Sequence, residues 1–512
     1  MKKKIIGILV TLTLIATSFI STALAEGGST PPSGSPPGKP SEGFMGGAPS
    51  GSSQSGSADI TYTGDTEYNA DGSYKETSYT STTGGENALL ATSGNITLDG
   101  ISVTKSGDES SESSDFYGTN AAILATDEAV VEITDATIET DGTHANAVFA
   151  YGTGQITISD STIHTSSNNS GGIMVTGGGT LVSNNNTVTT EGNSSAAIRS
   201  DRGGGTMTVN GGTYTTNGQG SPAIYSTADI TANEAELIST SSEGIVVEGK
   251  NSVTLNNVTL TDSNTSLNGN SETYKNIFIY QSMSGDADEG IASFTANDST
   301  ITTKNGDVFY VTNTSCIITL SGNTFVTESD GAFLLAEGAA WGSEGSNGGD
   351  VTLMLNDQTV SGDIVIDEIS SLDMTLDDSV YEGTINGSND SEDITVTLSA
   401  DSKLILTGDS YITALANEDE TNSNIYLNGY TLYVNGKAVD GNSEEVSTDI
   451  EESTVAETAS SSAATEENSK ITDETDDSEE NSTLSVVKYL PYIIGGTAVL
   501  AAIIFMISKL KH

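Results

Sequence analysis

The sequence predicts an all-β protein built as a right-handed parallel β-helix, a solenoid of about 12–14 coils of 22–26 residues each. Three observations predict this fold: a repeated five-residue element, a second repeated phrase about ten residues further on, and the lack of helical stretches between them. The composition agrees with it. Gly accounts for 56 of 512 residues and aromatic residues for only 6%, which suits a narrow core stacked from Ile, Val, Leu and Ala.

The first element runs small–apolar–variable–small–variable and recurs between residues 88 and 336. Where no loop intervenes, its copies are 22 to 26 residues apart; Arg199 follows Met174 after 25 residues, and Tyr225 follows Arg199 after 26. The copies begin Ala88-Leu89-Leu90, Ala122-Ile123-Leu124, Val148-Phe149-Ala150, Gly172-Ile173-Met174, Ala197-Ile198-Arg199, Ala223-Ile224-Tyr225, Gly244-Ile245-Val246, Val308-Phe309-Tyr310 and Ala332-Phe333-Leu334.

The second element is an apolar–x–Asp/Asn/Gly–x–Thr–apolar phrase, as in Ile133-Thr134-Asp135-Ala136-Thr137-Ile138. Its third residue is of a type that tolerates left-handed backbone angles, so it fits a tight turn between two short strands. We therefore predict that these residues stack into a turn ladder with a structural role: Asp135, Asp160, Asn185, Asn257 and Asp298.

Stacking is required because no single repeat can bury its apolar face. Strands that return after 22–26 residues without a helix cannot form βαβ units, and a β-propeller needs blades of about 40–50 residues. The β-helix remains, with successive coils about 4.8 Å apart and a rod of roughly 60 Å. The last coils gain tyrosines that suit a terminal cap, namely Tyr411, Tyr426, Tyr430 and Tyr433.

The two ends predict a bacterial protein that crosses the cell membrane once. Residues 1–25 have the charged start, apolar stretch and small-x-small site of a signal peptide. Residues 486–508 include 19 uncharged residues, Tyr489–Ile507, enough for a transmembrane helix. Lys509 and Lys511 follow and predict a cytoplasmic tail at 509–512, with the remainder extracellular.

Two low-complexity segments flank the repeats. Residues 26–57 are rich in Gly, Ser and Pro and predict a disordered leader, and residues 440–485 are rich in Ser, Thr and acids and predict a disordered stalk. The repeat domain is predicted at 58–439, with recognisable repeats from about Gly85 to Gly436.

Charge and cysteine content exclude several classes of protein. A net charge of −53 leaves no basic face for a nucleic acid. The lone Cys316 excludes a disulfide-stapled module. No cofactor is predicted and no metal-ligand spacing occurs, although so acidic a surface can collect Ca²⁺ loosely.

Three stretches resemble an uncharacterised family of right-handed parallel β-helix proteins from the surfaces of Gram-positive anaerobic bacteria. The stretches are Ser195–Gly205, Gly220–Asp229 and Tyr280–Asp286. The resemblance extends over roughly Gly85 to Leu335 and implies the fold and a surface location, but no activity. More broadly the pattern is similar to pectate-lyase-like and adhesin-like β-helices, and that fold does not choose between their functions.

Alternation of inward and outward residues predicts one outward column of side chains about 4.8 Å apart. The predicted column is Leu90, Leu124, Ala150, Met174, Arg199, Tyr225, Val246, Tyr280, Tyr310 and Leu334. The chain's only arginines, Arg199 and Arg202, would lie with Asp201 beside Tyr225. Such a group can bind a carboxylate or sugar hydroxyls, or the arginines can simply pair with neighbouring acids.

Four longer loops interrupt the coils and are candidates for recognition: Lys105–Gly118, Asp262–Lys275, Ser282–Gly290 and Glu337–Gly349. Trp341, the only Trp, lies in the last of them and can stack on a sugar or pack on its own coil. The predicted ligand-binding residues are Arg199, Arg202, Tyr225, Tyr280, Tyr310 and Trp341.

The favoured functional prediction is a non-catalytic surface protein, an adhesin or glycan-binding rod that contacts glycans or surface proteins of host or neighbouring cells. The first alternative is a cell-attached polysaccharide lyase or glycoside hydrolase. Its catalytic residues would be Arg199, Asp201, Arg202 and Glu248, with Asp201 and Glu248 about 9.6 Å apart by strand spacing. The second alternative is a structural surface-layer component without a ligand.

Overall fold

A computed structural model describes residues 60–111, 113–269 and 271–447 of the chain. The predicted signal peptide, the whole leader, the transmembrane helix, the cytoplasmic tail and all but the first residues of the stalk lie outside these residues. No helix within the described part of the chain is long and apolar enough to cross a bilayer.

The described chain is almost entirely β-strand. The first elements in chain order are β1 (Gly64–Tyr68), β2 (Gly72–Lys75), β3 (Ser78–Ser81), β4 (Asn87–Asp99), β5 (Ser102–Lys105), α1 (Ser113–Tyr117), β6 (Ile123–Thr134), β7 (Thr137–Thr140), β8 (Val148–Tyr151), β9 (Gln155–Ser159), β10 (Thr162–Thr165), β11 (Ile173–Thr176), β12 (Gly179–Asn184), β13 (Thr187–Thr190), β14 (Ile198–Ser200), β15 (Gly205–Asn210), β16 (Thr213–Thr216), β17 (Ile224–Ser226), β18 (Asp229–Asn233), β19 (Glu236–Ser239), β20 (Ile245–Glu248), β21 (Ser252–Asn256) and β22 (Thr259–Asp262). They are followed by β23 (Lys275–Tyr280), β24 (Ile291–Asn297), β25 (Thr300–Thr303), β26 (Asp307–Thr312), β27 (Thr314–Ser321), β28 (Thr324–Thr327), β29 (Leu334–Ala336), β30 (Gly349–Asn356), β31 (Thr359–Ser361), β32 (Ile364–Ile366), β33 (Ser371–Asp377), β34 (Val380–Gly383), β35 (Ile394–Leu398), β36 (Lys403–Leu406), β37 (Ser410–Ile412), β38 (Ala414–Asn417), β39 (Ile425–Tyr426), β40 (Leu432–Val434) and β41 (Lys437–Ala438).

These strands form a parallel β-solenoid of the right-handed type with about 15 turns, which confirms the predicted fold and adds a turn to the predicted 12–14. Most coils supply three strands that pair in parallel with their counterparts in the next coil, and the third strands form one sheet from β3 to β28 and a second from β31 to β39. In the middle of the rod the first strands are β8, β11, β14, β17, β20, β23, β26 and β29. Met174 pairs with Arg199, and Arg199 with Tyr225, so the repeat period read from the sequence is also the strand register.

The interior of the solenoid is a continuous stack of Ile, Val, Leu and Ala side chains. Phenylalanines join this stack in the later coils: Phe309 lies 5.5 Å from both Phe294 and Phe333, measured between ring centres. Tyr214 is also fully buried, and its hydroxyl lies 2.7 Å from the Ser183 hydroxyl, so its polar atom has a partner.

The predicted turn ladder is confirmed. All five of its residues, Asp135, Asp160, Asn185, Asn257 and Asp298, have φ between 49° and 53°. The residue before the turn forms a second ladder, in which each Asn amide donates to the Asn oxygen of the preceding coil at 2.9 Å, through Asn184, Asn210, Asn233, Asn256 and Asn297. Both ladders fix the corner between second and third strands, which keeps the coils in register.

Both ends of the described solenoid carry tyrosines. A coil precedes the first repeat recognised in the sequence, and its Tyr68 ring stacks on Tyr74 at 4.1 Å while its hydroxyl lies 3.0 Å from that of Tyr79. At the other end Tyr411 and Tyr433 stack at 4.9 Å. There β40 and β41 pair antiparallel, unlike the other strand pairs within the described residues, and so end the parallel stack.

Candidate functional site

The candidate site is a cleft of about 230 Å³ on the outward face of the first strands, centred on β14, β17, β20 and β23. The strands supply its floor: Arg199, Tyr225, Val246 and Phe278 follow one another in register across four coils. Glu248 and Tyr280 form a second pair beside them. A rigid strand column therefore positions the side chains of the floor.

The outward column differs from the prediction at three positions. Phe149, Phe278 and Leu335 occupy it, instead of Ala150, Tyr280 and Leu334. Ala150 and Leu334 point into the core. For Ala150 and Leu334 the predicted position is one residue from the observed one, and a shift of one residue along a strand exchanges the inner and outer faces. Tyr280 is two residues from Phe278 and lies on the same outward side of β23.

The four longer loops predicted from the sequence are present and lie at or beside the cleft. We name them loop A (106–122), loop B (263–274), loop C (281–290) and loop D (337–348). Loops A and B each precede a first strand, β6 and β23, and loops C and D each follow one, β23 and β29. Loop B lines the cleft with Asn268 and Ser271, loop C with Ser282, Ser284 and Asp286, and loop D with Trp341.

Loop A reaches the same site through an ion-pair network. Asp115, in α1 of loop A, lies 3.5 Å from an Arg199 guanidinium nitrogen, and Asp201 lies 3.1 Å from the other. The second Asp115 oxygen lies 2.7 Å from His144 Nδ1. The Arg199 side chain is only 11% exposed, so its charge is held between two carboxylates. Two roles were predicted for Arg199, ligand binding and ion pairing with neighbouring acids, and the structure shows the ion pairing.

Arg202 lies at the rim and joins loops A and C. Its Nε and Nη2 donate to Asp286 Oδ1 at 3.0 and 2.5 Å. Its guanidinium also lies over the Phe116 ring, 4.0 Å from the ring centre. Arg202 therefore links loop A to loop C, and we call this contact the clasp.

Glu248 is 1% exposed and lies at the base of the cleft. One oxygen accepts hydrogen bonds from the Tyr225 hydroxyl and, at 3.1 Å, from the Tyr280 hydroxyl. The Ser282 hydroxyl donates to the other oxygen. Within the described residues no basic group lies within ion-pair distance of Glu248, so hydroxyl donors alone solvate its charge.

Burial shifts the pKa of both cleft carboxyls upward. Burial raises the pKa of Asp201 to about 7, although the Arg199 charge acts in the opposite direction. Burial also raises the pKa of Glu248, against the effect of its three hydroxyl donors. The pKa values of Tyr225 and Tyr280 are raised well above their ordinary value by burial and by Glu248, so both hydroxyls remain donors.

The remaining candidates occupy different positions. Trp341 is 8% exposed and packs on Phe278 and Tyr280, with ring centres 5.2 and 5.5 Å away, so it closes one end of the cleft. Tyr310 lies outside the cleft lining, where its hydroxyl donates to Glu337 at 2.8 Å.

Several cleft residues were missed from the sequence: Asp115, Glu243, Asn268, Phe278, Ser282, Ser284 and Asp286. Ser282, Ser284 and Asp286 lie in a stretch that carried the family resemblance, and this was the available signal. The other contacts join residues 29 to 84 positions apart, as with Asp115 and Arg199.

Asp201 gives a pH dependence that can be measured. Its pKa of about 7 in the folded protein exceeds the value of about 3.9 of an unfolded chain. Between these values the unfolded carboxyl has lost its proton and the folded one has kept it, so the unfolded state binds fewer protons. Stability therefore falls as pH rises from about 4 to about 7.

We expect Asp201→Asn to reduce this slope. Urea unfolding at several pH values across that window would measure it. Asp373→Asn, at an exposed position of β33, serves as the matched control and should leave the slope as in the wild type. An unchanged slope in Asp201→Asn would show that the folded carboxyl is ionised throughout.

Comparison with models of known protein families, with characterised proteins and with solved structures gives no match for this chain.

Proposed function

We propose that the protein is a glycan-binding adhesin, a rigid rod held at the cell surface, whose cleft between loops A to D holds a sugar residue. The observation that carries the proposal is the convergence of all four insertions on one cleft. Loops that a repeat scaffold gathers on one face are the usual place for recognition. The four loops are far apart in the sequence, so their location on a single face supports a shared role in recognition.

The chemistry of the cleft suits a sugar. Aromatic rings offer apolar surface to the face of a sugar ring, and Tyr225, Phe278, Tyr280 and Trp341 all line the cleft. Asn268, Ser271 and Ser284 add polar groups that can bind hydroxyls. The cleft is smaller than the roughly 300–1,000 Å³ of sites for drug-sized ligands, which favours one sugar residue at a chain end.

Binding is favoured over turnover because the ionisable groups are already engaged. Arg199 pairs with Asp115 and Asp201, and Glu248 accepts three hydrogen bonds. Surface anchoring rests on the predicted transmembrane helix at 486–508 and the stalk at 440–485, which would hold the rod away from the membrane.

The test is a glycan array probed with the full chain in detergent, followed by titration of each bound glycan. Trp341 is the chain's only Trp, so its fluorescence reports on cleft occupancy directly. We expect Tyr225→Ala to weaken binding at least tenfold, and Tyr411→Ala, which removes a tyrosine from the last coils, to leave it unchanged. Absence of binding to any glycan would overturn the proposal in favour of a purely structural surface protein.

A second candidate function is glycan hydrolysis or lysis at the same cleft. A carboxyl with a pKa of about 7 can act as a general acid at neutral pH, and Asp201 shares the cleft with Glu248. Arg199 and Arg202 would then position the substrate. Release of new chain ends from an array-positive glycan, abolished by Asp201→Asn, would favour the enzyme over the adhesin.

A further inference from the structure

The charges that line the cleft are balanced with one exception. Four carboxylates line it, and three have a basic partner: Asp201 has Arg199 at 3.1 Å, Asp286 has Arg202 at 2.5 Å and Glu243 has Lys275 at 3.7 Å. The fourth, Glu248, has none within the described residues. A buried carboxylate without a counter-charge is costly, and a ligand that brings a positive charge removes that cost.

Glu248 also retains capacity for another donor. A carboxylate offers about four acceptor positions, and three hydroxyls occupy three of them. The oxygen that accepts from Ser282 has the free position. Glu248 can therefore accept one further N–H or O–H donor without losing any existing hydrogen bond.

The aromatic lining suits a cation as well. The Lys275 ammonium lies 4.7 Å from the centre of the Phe278 ring and 5.0 Å from that of Tyr310. Phe278 stacks on Tyr280 at 4.3 Å, and Tyr280 donates to Glu248. The ring cluster that borders the unpaired carboxylate therefore already accommodates one ammonium group, through the Phe278 ring.

Negatively charged ligands are disfavoured both by the charges inside the cleft and by the net charge of the whole chain. Within the cleft an acidic sugar would add a negative charge beside Glu248, while both arginines are already paired. Over the whole chain a net charge of −53 repels anions and concentrates cations near the surface.

We propose that the cleft selects a glycan end that carries a protonated amine, an amino sugar whose ammonium group pairs with Glu248 beside Tyr225 and Tyr280. This assignment rests on the proposed glycan binding and specifies its ligand. The ammonium group supplies the positive charge that Glu248 lacks and donates to its free acceptor position. The sugar ring lies against the aromatic floor.

The test compares three tetrasaccharides on the full chain at fixed ionic strength. The first is a chitin tetrasaccharide, the second is the same chain with the amine of its non-reducing terminal residue freed of the acetyl group, and the third ends in a uronic acid. We expect the free amine to bind at least tenfold more tightly than the acetylated chain, with the uronate chain weakest. Glu248→Gln should remove the advantage of the free amine.

Asp373→Asn is the matched control for charge, since it removes one negative charge at an exposed site on β33. It should keep the tenfold preference, which separates pairing with Glu248 from attraction to an acidic rod. If the acetylated or uronate chain binds wild-type protein as tightly as the free amine, the amine assignment is overturned and glycan binding stands. If no glycan on the array binds, both proposals fail.

Discussion

Replacement of Phe309 by Ala is expected to lower the free energy of unfolding by about 3–5 kcal/mol, among the largest effects of any single change in this protein. Phe309 is fully buried, and its ring contacts those of Phe294, Phe325 and Phe333 in the same and adjacent coils. Strand pairing holds the preceding coil on three sides and the following coil on two, so they cannot close onto the cavity.

Urea unfolding followed by circular dichroism would measure the loss. Tyr430→Ala is the matched control, because Tyr430 is 44% exposed and its truncation should change stability by no more than about 0.5 kcal/mol. Similar small losses for both variants would mean that the interior of the solenoid tolerates a void of ring size, contrary to the close packing inferred here.

The fold was accessible from the sequence because its determinants are local and repeated. The turn residue Asp160 needs a left-handed backbone wherever it occurs, and the same need returns at Asn185 in the next coil. Each repeat therefore carries the turn residue for its own corner, and the repeat spacing indicates which residues of neighbouring coils pair. The pairing of Met174 with Arg199 follows from counting alone.

The face assignment was less secure where successive residues of a strand are all apolar. Val148, Phe149 and Ala150 are all apolar, and all three are buried. Apolarity therefore does not separate the residue that points into the core from the one covered by loop A. Phe149 packs outside with Leu124 and Met174 beneath that loop, so an insertion distant in sequence decides which side is called outer.

The site was accessible only in part for the same reason. Arg199, Tyr225, Glu248 and Tyr280 lie on the strands and Asp201 directly follows β14, and strand periodicity placed them on one face. Their partners Asp115 and Asp286 come from loops A and C, whose paths depend on tertiary packing and not on the repeat. For Trp341 two roles were predicted, stacking on a sugar or packing on its own coil. In the structure its ring packs against the aromatic residues of the rod and also borders the cleft.

Arg199→Met should also lower the free energy of unfolding by about 3–5 kcal/mol at pH values above the Asp201 pKa of about 7, where it leaves buried, ionised carboxylates without their cation. Asp201 loses its only basic partner among the described residues, whereas Asp115 retains His144. Part of the loss should therefore return in the double variant Arg199→Met with Asp201→Asn, in which no charge remains at position 201 to be compensated.

Arg202→Met provides the control, since it is the same substitution at the only other arginine. Arg202 is 46% exposed, and an ion pair at such a position is worth about 0–1 kcal/mol. Urea unfolding of the three variants and the wild type would therefore separate a buried structural cation from an exposed clasp. Equal losses at the two arginines would contradict the burial of the Arg199 network. The Arg199 guanidinium would then be open to solvent and able to exchange Asp201 for an acidic ligand, which would also weaken the case for an amine at Glu248.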